Sequence, residues 1–131
     1  MYISNIEIIN ELTHQGLAIL TGDPTGTNIN QQKVDAAIKY ASNIINVYCY
    51  ARYEVPLSPV PMIILDIATA LAIYYLYVFE KRDDLITAVI IYRKLDAFKM
   101  LRDIAEGRLH IETTEKGSKY KFSSDKKLIN E

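Results

Sequence analysis

The apolar positions fall into helical periods almost from the start of the chain. Ser4-Asn5-Ile6-Glu7 is a capping-box pattern, in which the serine hydroxyl accepts from the Glu7 amide while the carboxylate reaches back. Ile6, Ile9 and Leu12 follow on one stripe and predict a first helix over about residues 5–13. Leu17, Ile19 and Leu20 predict a further short turn of helix before Gly22. Residues 21–30 read as loop, because Gly22-Asp23-Pro24-Thr25-Gly26 gathers residues that open and tolerate turns. Beyond them Val34, Ile38, Ala41, Ile45 and Tyr48 alternate by four and three, opposite Lys33, Lys39, Ser42 and Asn46. That seam predicts an amphipathic helix over about 31–51.

Residues 53–61 contain Pro56, Pro59 and Pro61, whose fixed φ predicts a stiff, extended connector. Ser58-Pro59 has the form of an N-cap followed by proline in the first turn, so the next helix is expected over about 60–79. It is apolar nearly all round, with Asp66 its only charge. After the charged break Glu80-Lys81-Arg82-Asp83-Asp84, Leu85, Val89, Tyr92 and Leu95 resume helical spacing. Ile90, Ala97, Met100, Leu101 and Ile104 fill out a broad apolar face. Asp83 and Asp84 complement a helix N-terminus and Gly107 suits a left-handed C-terminal residue, which predicts one long last helix over 83–106. Residues 112–131 are polar with thin apolar markers. Either they form a small hairpin (110–112 against 119–122), or they order only against a partner.

The pattern as a whole predicts an all-α domain over residues 1–111. It is a small bundle of about four to five helices around a long central apolar helix, with a polar tail at 112–131. A chain of 131 residues, half hydrophobic and 24% charged, fits one domain with its own core. No basic-then-apolar leader pattern opens the chain. The apolar run 60–79 is long enough to cross a bilayer, with Lys81 and Arg82 at one end. Asp66 and Pro61 within it favour a buried core helix, and a membrane span is the alternative.

Candidate chemistry is sparse. His14 and His110 lie at opposite ends of the chain, so no two-histidine metal face forms, and Cys49, the single cysteine, reads as a small buried hydrophobe. Gly22 to Thr27 lacks the lysine and preceding strand of a phosphate loop. The carboxylates at Asp83-Asp84 and Asp103–Glu106 sit at helix ends, where solvated charge is the rule. No enzymatic activity, cofactor, metal or small-molecule substrate is therefore expected. With 15 basic against 16 acidic residues, nothing draws the whole chain to nucleic acid. The tail lysines, among them Lys119 and Lys121 beside Tyr120 and Phe122, are offset by nearby acids. Tyrosine stands out, with 10 against 3 phenylalanines and no tryptophan. Tyr74, Tyr75 and Tyr77 crowd the end of the apolar helix, as a wet core edge or a subunit interface would require. They and Lys119, Tyr120, Lys121 and Phe122 are the candidate partner contacts.

The segment Arg52-Tyr53-Glu54-Val55-Pro56-Leu57-Ser58-Pro59-Val60-Pro61 resembles a family of small proteins from Mu-like phages and prophages, encoded among head and neck genes. In that family a helix ends in Arg-Tyr, then come Pro-Leu and Val-Pro opening an apolar helix. A tyrosine at position two precedes a short first helix, and the last helix ends in Gly-Arg-Leu, here Gly107-Arg108-Leu109. The resemblance covers about residues 2–111. This chain departs from the family's acidic, alanine-rich helices in being rich in Ile, Tyr, Asn and Lys.

The resemblance implies a non-enzymatic virion structural protein of the neck, a head-completion or head–tail connector subunit. It would be made in the host cytoplasm and then built into the virion. Helical head–tail adaptors are similar in helix order and assemble as rings below the portal, which implies a homo-oligomer touching other neck, portal or tail proteins. DNA would only pass by. Arg52 is then expected either to pair with Asp66 across the proline turn or to cap carbonyls at its own helix end. A helical regulator binding protein or DNA is a further alternative, though none of the helices is basic.

Overall fold

Ser4 caps the first helix as its sequence predicts, its amide donating to Glu7 Oε1 at 2.9 Å. The computed structural model describes residues 1–117. Helix α1 (Asn5–Leu12) ends at Thr13, which sits at φ 68°. The Thr13 amide donates to the Ile9 carbonyl while its hydroxyl accepts from the Gly16 amide, so one residue closes α1 and opens α2 (His14–Leu20). What reads as a single turn in the sequence is thereby two turns of helix. Helix α3 (Gln31–Cys49) is capped by Asn30 and buries Val34, Ala37, Ile38, Ala41, Ile45 and Cys49.

Helix α4 (Met62–Phe79) starts later than its apolar run suggests. Ser58 is not its N-cap; Pro61 is, and no side chain caps the helix. Ser58 precedes Pro59 and Val60 precedes Pro61, so neither enters helical backbone readily, and helix waits for Met62. The connector also bends instead of running extended, with cis bonds at Val55-Pro56 and Ser58-Pro59.

Helix α4 lies between α3 and α5 and is the centre of the core. Ile64, Ile67, Ala68, Leu71, Ala72 and Leu76 are fully enclosed. Each buried Ile or Leu there contributes about 1.5–3 kcal/mol over an exposed one. Among the described residues α4 is the helix long and apolar enough to cross a membrane, and 50% of that span is buried inside the bundle.

The last helix is broken where one continuous element was expected. Asp83–Leu85 forms a single 3₁₀ turn, Ile86 is extended, and α5 (Ala88–Ala105) begins after Thr87, whose hydroxyl accepts from the Ile90 amide. Thr87 offers the backbone a cap, and the helix starts afresh there. Its other end follows expectation: Gly107 at φ +82° lets the Arg108 amide reach the Asp103 carbonyl at 2.8 Å and the Gly107 amide the Ile104 carbonyl at 3.2 Å.

Candidate functional site

The residues carrying the sequence signature converge at one end of the bundle. Arg52 and Tyr53 leave α3, Leu57 and Ser58 lie in the connector, and residues 107–116 return past both. Arg52 donates from Nε to the Ala105 carbonyl at 3.0 Å and from Nη2 to that of Glu106 at 3.2 Å. It therefore caps the C-terminus of α5, where a cation meets the negative end of the helix dipole. Both expectations for Arg52 are corrected. Asp66 is exposed on α4 and no ion pair joins the two, and the helix that Arg52 caps is not its own.

Tyr53 is buried, and its hydroxyl accepts from the Ile111 amide at 3.2 Å and lies 3.4 Å from His110 Nδ1. Its backbone forms an antiparallel bridge with Glu115, continued by Glu54 N to Thr114 O at 3.0 Å and Lys116 N to Arg52 O at 2.9 Å. Thr113 and Thr114, both buried, donate their hydroxyls to the carbonyls of Pro59 and Ser58 at 2.7 and 2.8 Å. Packing thus extends to Lys116, beyond the boundary at Ile111 that the hydrophobic pattern suggests. From the other side Tyr2 enters, accepting from the Leu57 amide at 2.7 Å and donating to Asn46 Oδ1. Burial pushes the Tyr2 phenol up from its ordinary value, partly countered by the Leu57 amide.

A cleft of about 390 Å³ opens here, lined by Arg52, Tyr53, Gly107, His110, Glu115 and Lys116. Its polar groups face one another. His110 Nδ1 lies 3.9 Å from Glu115 Oε2, and Lys116 Nζ donates to the Tyr50 carbonyl while sitting over its ring. No three His, Cys, Asp or Glu side chains among the described residues are placed to hold a metal ion. Cys49 is buried and burial pushes its thiol up to about 11, which keeps it protonated and unreactive at neutral pH. The junction works as a clamp that joins the N-terminal arm, the connector and the segment after α5.

Tyr74, Tyr75 and Tyr77 are each half-buried. Lys94 Nζ lies 4.4 Å from the Tyr74 ring centroid, and Tyr77 packs on the core. Tyr75 meets Tyr40 edge-on at 4.6 Å and stacks on Phe79 at 5.7 Å. It opens onto a groove of about 410 Å³ lined also by Asn43, Ile44, Val47, Tyr48 and Phe98. The contributions of Tyr2, Tyr40, Val47, Thr113 and Thr114 escape sequence reading, since each depends on a partner far along the chain. The tyrosine at position two was the one available signal. Lys119, Tyr120, Lys121 and Phe122, with the hairpin expected of them, lie outside the described residues.

The family described as Bacteriophage Mu, Gp36 matches residues 2–129, nearly the whole chain, including the tail that the resemblance had left aside. The chain belongs to that family. No curated protein matches it.

Proposed function

We propose that this member of the Bacteriophage Mu Gp36 family is a non-enzymatic structural subunit of the virion neck, acting in head completion or head–tail connection. One observation carries the reading. Arg52, Tyr53, Leu57 and Gly107, the residues that mark the family pattern, are spent on holding the fold together: Arg52 caps α5, Tyr53 receives the Ile111 amide, the Leu57 amide reaches Tyr2, and Gly107 leaves room for the Arg52 guanidinium. Distinctive residues that fix a helix end and a connector suit a protein that acts by shape. The apolar surface left over around Val47 supports a chain that works as one of several packed copies, in contact with portal or tail neighbours.

The test is to remove the gene from the parent phage or prophage and count particles by electron microscopy. Joined, DNA-filled particles should fall in number and recover when the chain is supplied in trans. Normal particles and titre without the protein would overturn the proposal, as would turnover of a small-molecule substrate by the purified chain.

A further inference from the structure

Thr13 joins α1 to α2 at φ 68° and ψ 162°, a backbone region essentially confined to glycine. The strain is local. The Thr13 amide pairs with the Ile9 carbonyl at 2.8 Å and the Leu17 amide with the Thr13 carbonyl at 3.1 Å, each four residues apart as in a continuous α-helix. Turning this one residue into helical backbone would hand the His14, Gln15 and Gly16 amides the carbonyls of Asn10, Glu11 and Leu12. Residues 5–20 would then form one helix.

The sequence carries the pattern of that longer helix. At about 3.6 residues per turn, Ile6, Ile8, Ile9, Leu12, Leu17, Ile19 and Leu20 fall on one half of its circumference. Glu7, Asn10, Glu11, His14 and Gln15 fall on the other, with Asn5 and Thr13 the polar exceptions on the apolar half. In the bent arrangement two of those isoleucines face water, Ile6 at 67% exposure and Ile19 at 42%. Helix α1 is also lightly seated. Ile8 is its one buried side chain, and a cleft of about 190 Å³ opens between Leu12 and Ala70, Ile73 and Ile90. Its outer ties are an ion pair from Glu11 to Arg93 and an amide pair between Asn5 and Gln31. Helix α2 buries Leu17, Ala18 and Leu20, so α1 is the partner that moves.

We propose that Thr13 is the hinge of a conformational switch, in which α1 leaves α4 and continues α2 as a single amphipathic helix. The first residues go with it, so Tyr2 withdraws from the Leu57 amide and the connector loses that tie. The bent form is the ground state because it buries Tyr2, Ile3 and Ile8. The strain at Thr13 works against that burial and narrows the gap to the straight form, which is the condition for a populated second state. The inference concerns two states of one chain and does not rest on the neck role.

Nuclear magnetic resonance on the full chain tests this, through backbone carbon shifts and relaxation dispersion. The wild type should show exchange at residues 5–16 and at the Leu57 amide, with minor-state shifts that are helical from Thr13 to Gly16. Thr13→Gly relieves the strain of the bent form and should cut the minor population at least about fivefold. Thr13→Ala removes the hydroxyl that caps α2 and should raise it at least about threefold. Ile8→Ala removes the buried anchor and keeps a strong helix former, so the straight form should become the major one. The Thr13 Cα shift should then be helical while the shifts of α3, α4 and α5 away from the seat of α1 stay as in the wild type. Coil shifts over residues 5–16 in Ile8→Ala would mean simple fraying and would overturn the proposal. So would an extended Thr13 in that variant, or exchange that Thr13→Gly leaves unchanged. Exchange shared equally by α3 would be unfolding of the whole chain, and absence of exchange at Thr13 in both the wild type and Thr13→Ala would leave no second state. Either of these also overturns it.

Discussion

The phenol oxygen of Tyr2 accepts a hydrogen bond from the backbone amide of Leu57, 2.7 Å away and 55 positions along the chain. The amide is buried in the proline connector. The bond therefore satisfies a donor that water does not reach, and it ties the first residues of the chain to the turn between α3 and α4. Tyr2→Phe keeps the ring and strands that donor. Stability should fall by about 1–3 kcal/mol, read from denaturant melts. An unchanged midpoint would show that the connector is held without it.

Arg52 and Gly107 act as one unit. A Cβ on Gly107 would sit 2.6 Å from Arg52 Cζ, and the glycine is at φ +82°. Gly107→Ala should cost the left-handed penalty of about 1–2 kcal/mol and also dislodge the guanidinium from the Ala105 and Glu106 carbonyls. In an Arg52→Ala background only the backbone penalty remains. The double-mutant cycle should accordingly show coupling of at least about 0.5 kcal/mol. Strict additivity would separate the two residues.

The Asp23 carboxyl is held down to about 2, first by the Thr25 hydroxyl at 2.6 Å, then by the Asn28 amide at 2.7 Å, with those of Thr25 and Thr27. The folded value lies below the ordinary 3.8, so below that pH the unfolded chain binds more protons. The contribution is complete above about 3.8 and is lost as pH falls towards 2. Asp23→Ala should lower stability at pH 7, and the gap to wild type should close on acidification through that window. A gap independent of pH would mean that the ionised carboxylate does not organise the loop.

Cys49 should resist thiol reagents at pH 8 while the protein is folded and react at once in denaturant, because burial holds its thiol near 11. Rapid labelling of the folded chain would place α3 differently in the core.

The helices were legible in the sequence wherever a period of three and four ran unbroken, as from Val34 to Tyr48, or where a cap was local, as at Ser4 and Gly107. The break at Thr87 was not. Leu85 and Val89 keep helical spacing across it, while Ile86 is extended and the Thr87 hydroxyl caps the new start. The signature Arg52-Tyr53 was visible as a pattern, but its partners at Ala105 and Ile111 lie 53 and 58 residues away and leave no local trace. Likewise Tyr40 and Val47 read as ordinary positions on α3 until Tyr75 and Phe98 are brought beside them.

Electron cryo-microscopy of the parent particle tests the central claim most directly. Several copies of this helical fold, arranged around the DNA path between head and tail, are expected. Purified infectious particles in which the neck is fully accounted for by other chains, with this protein absent, would contradict it.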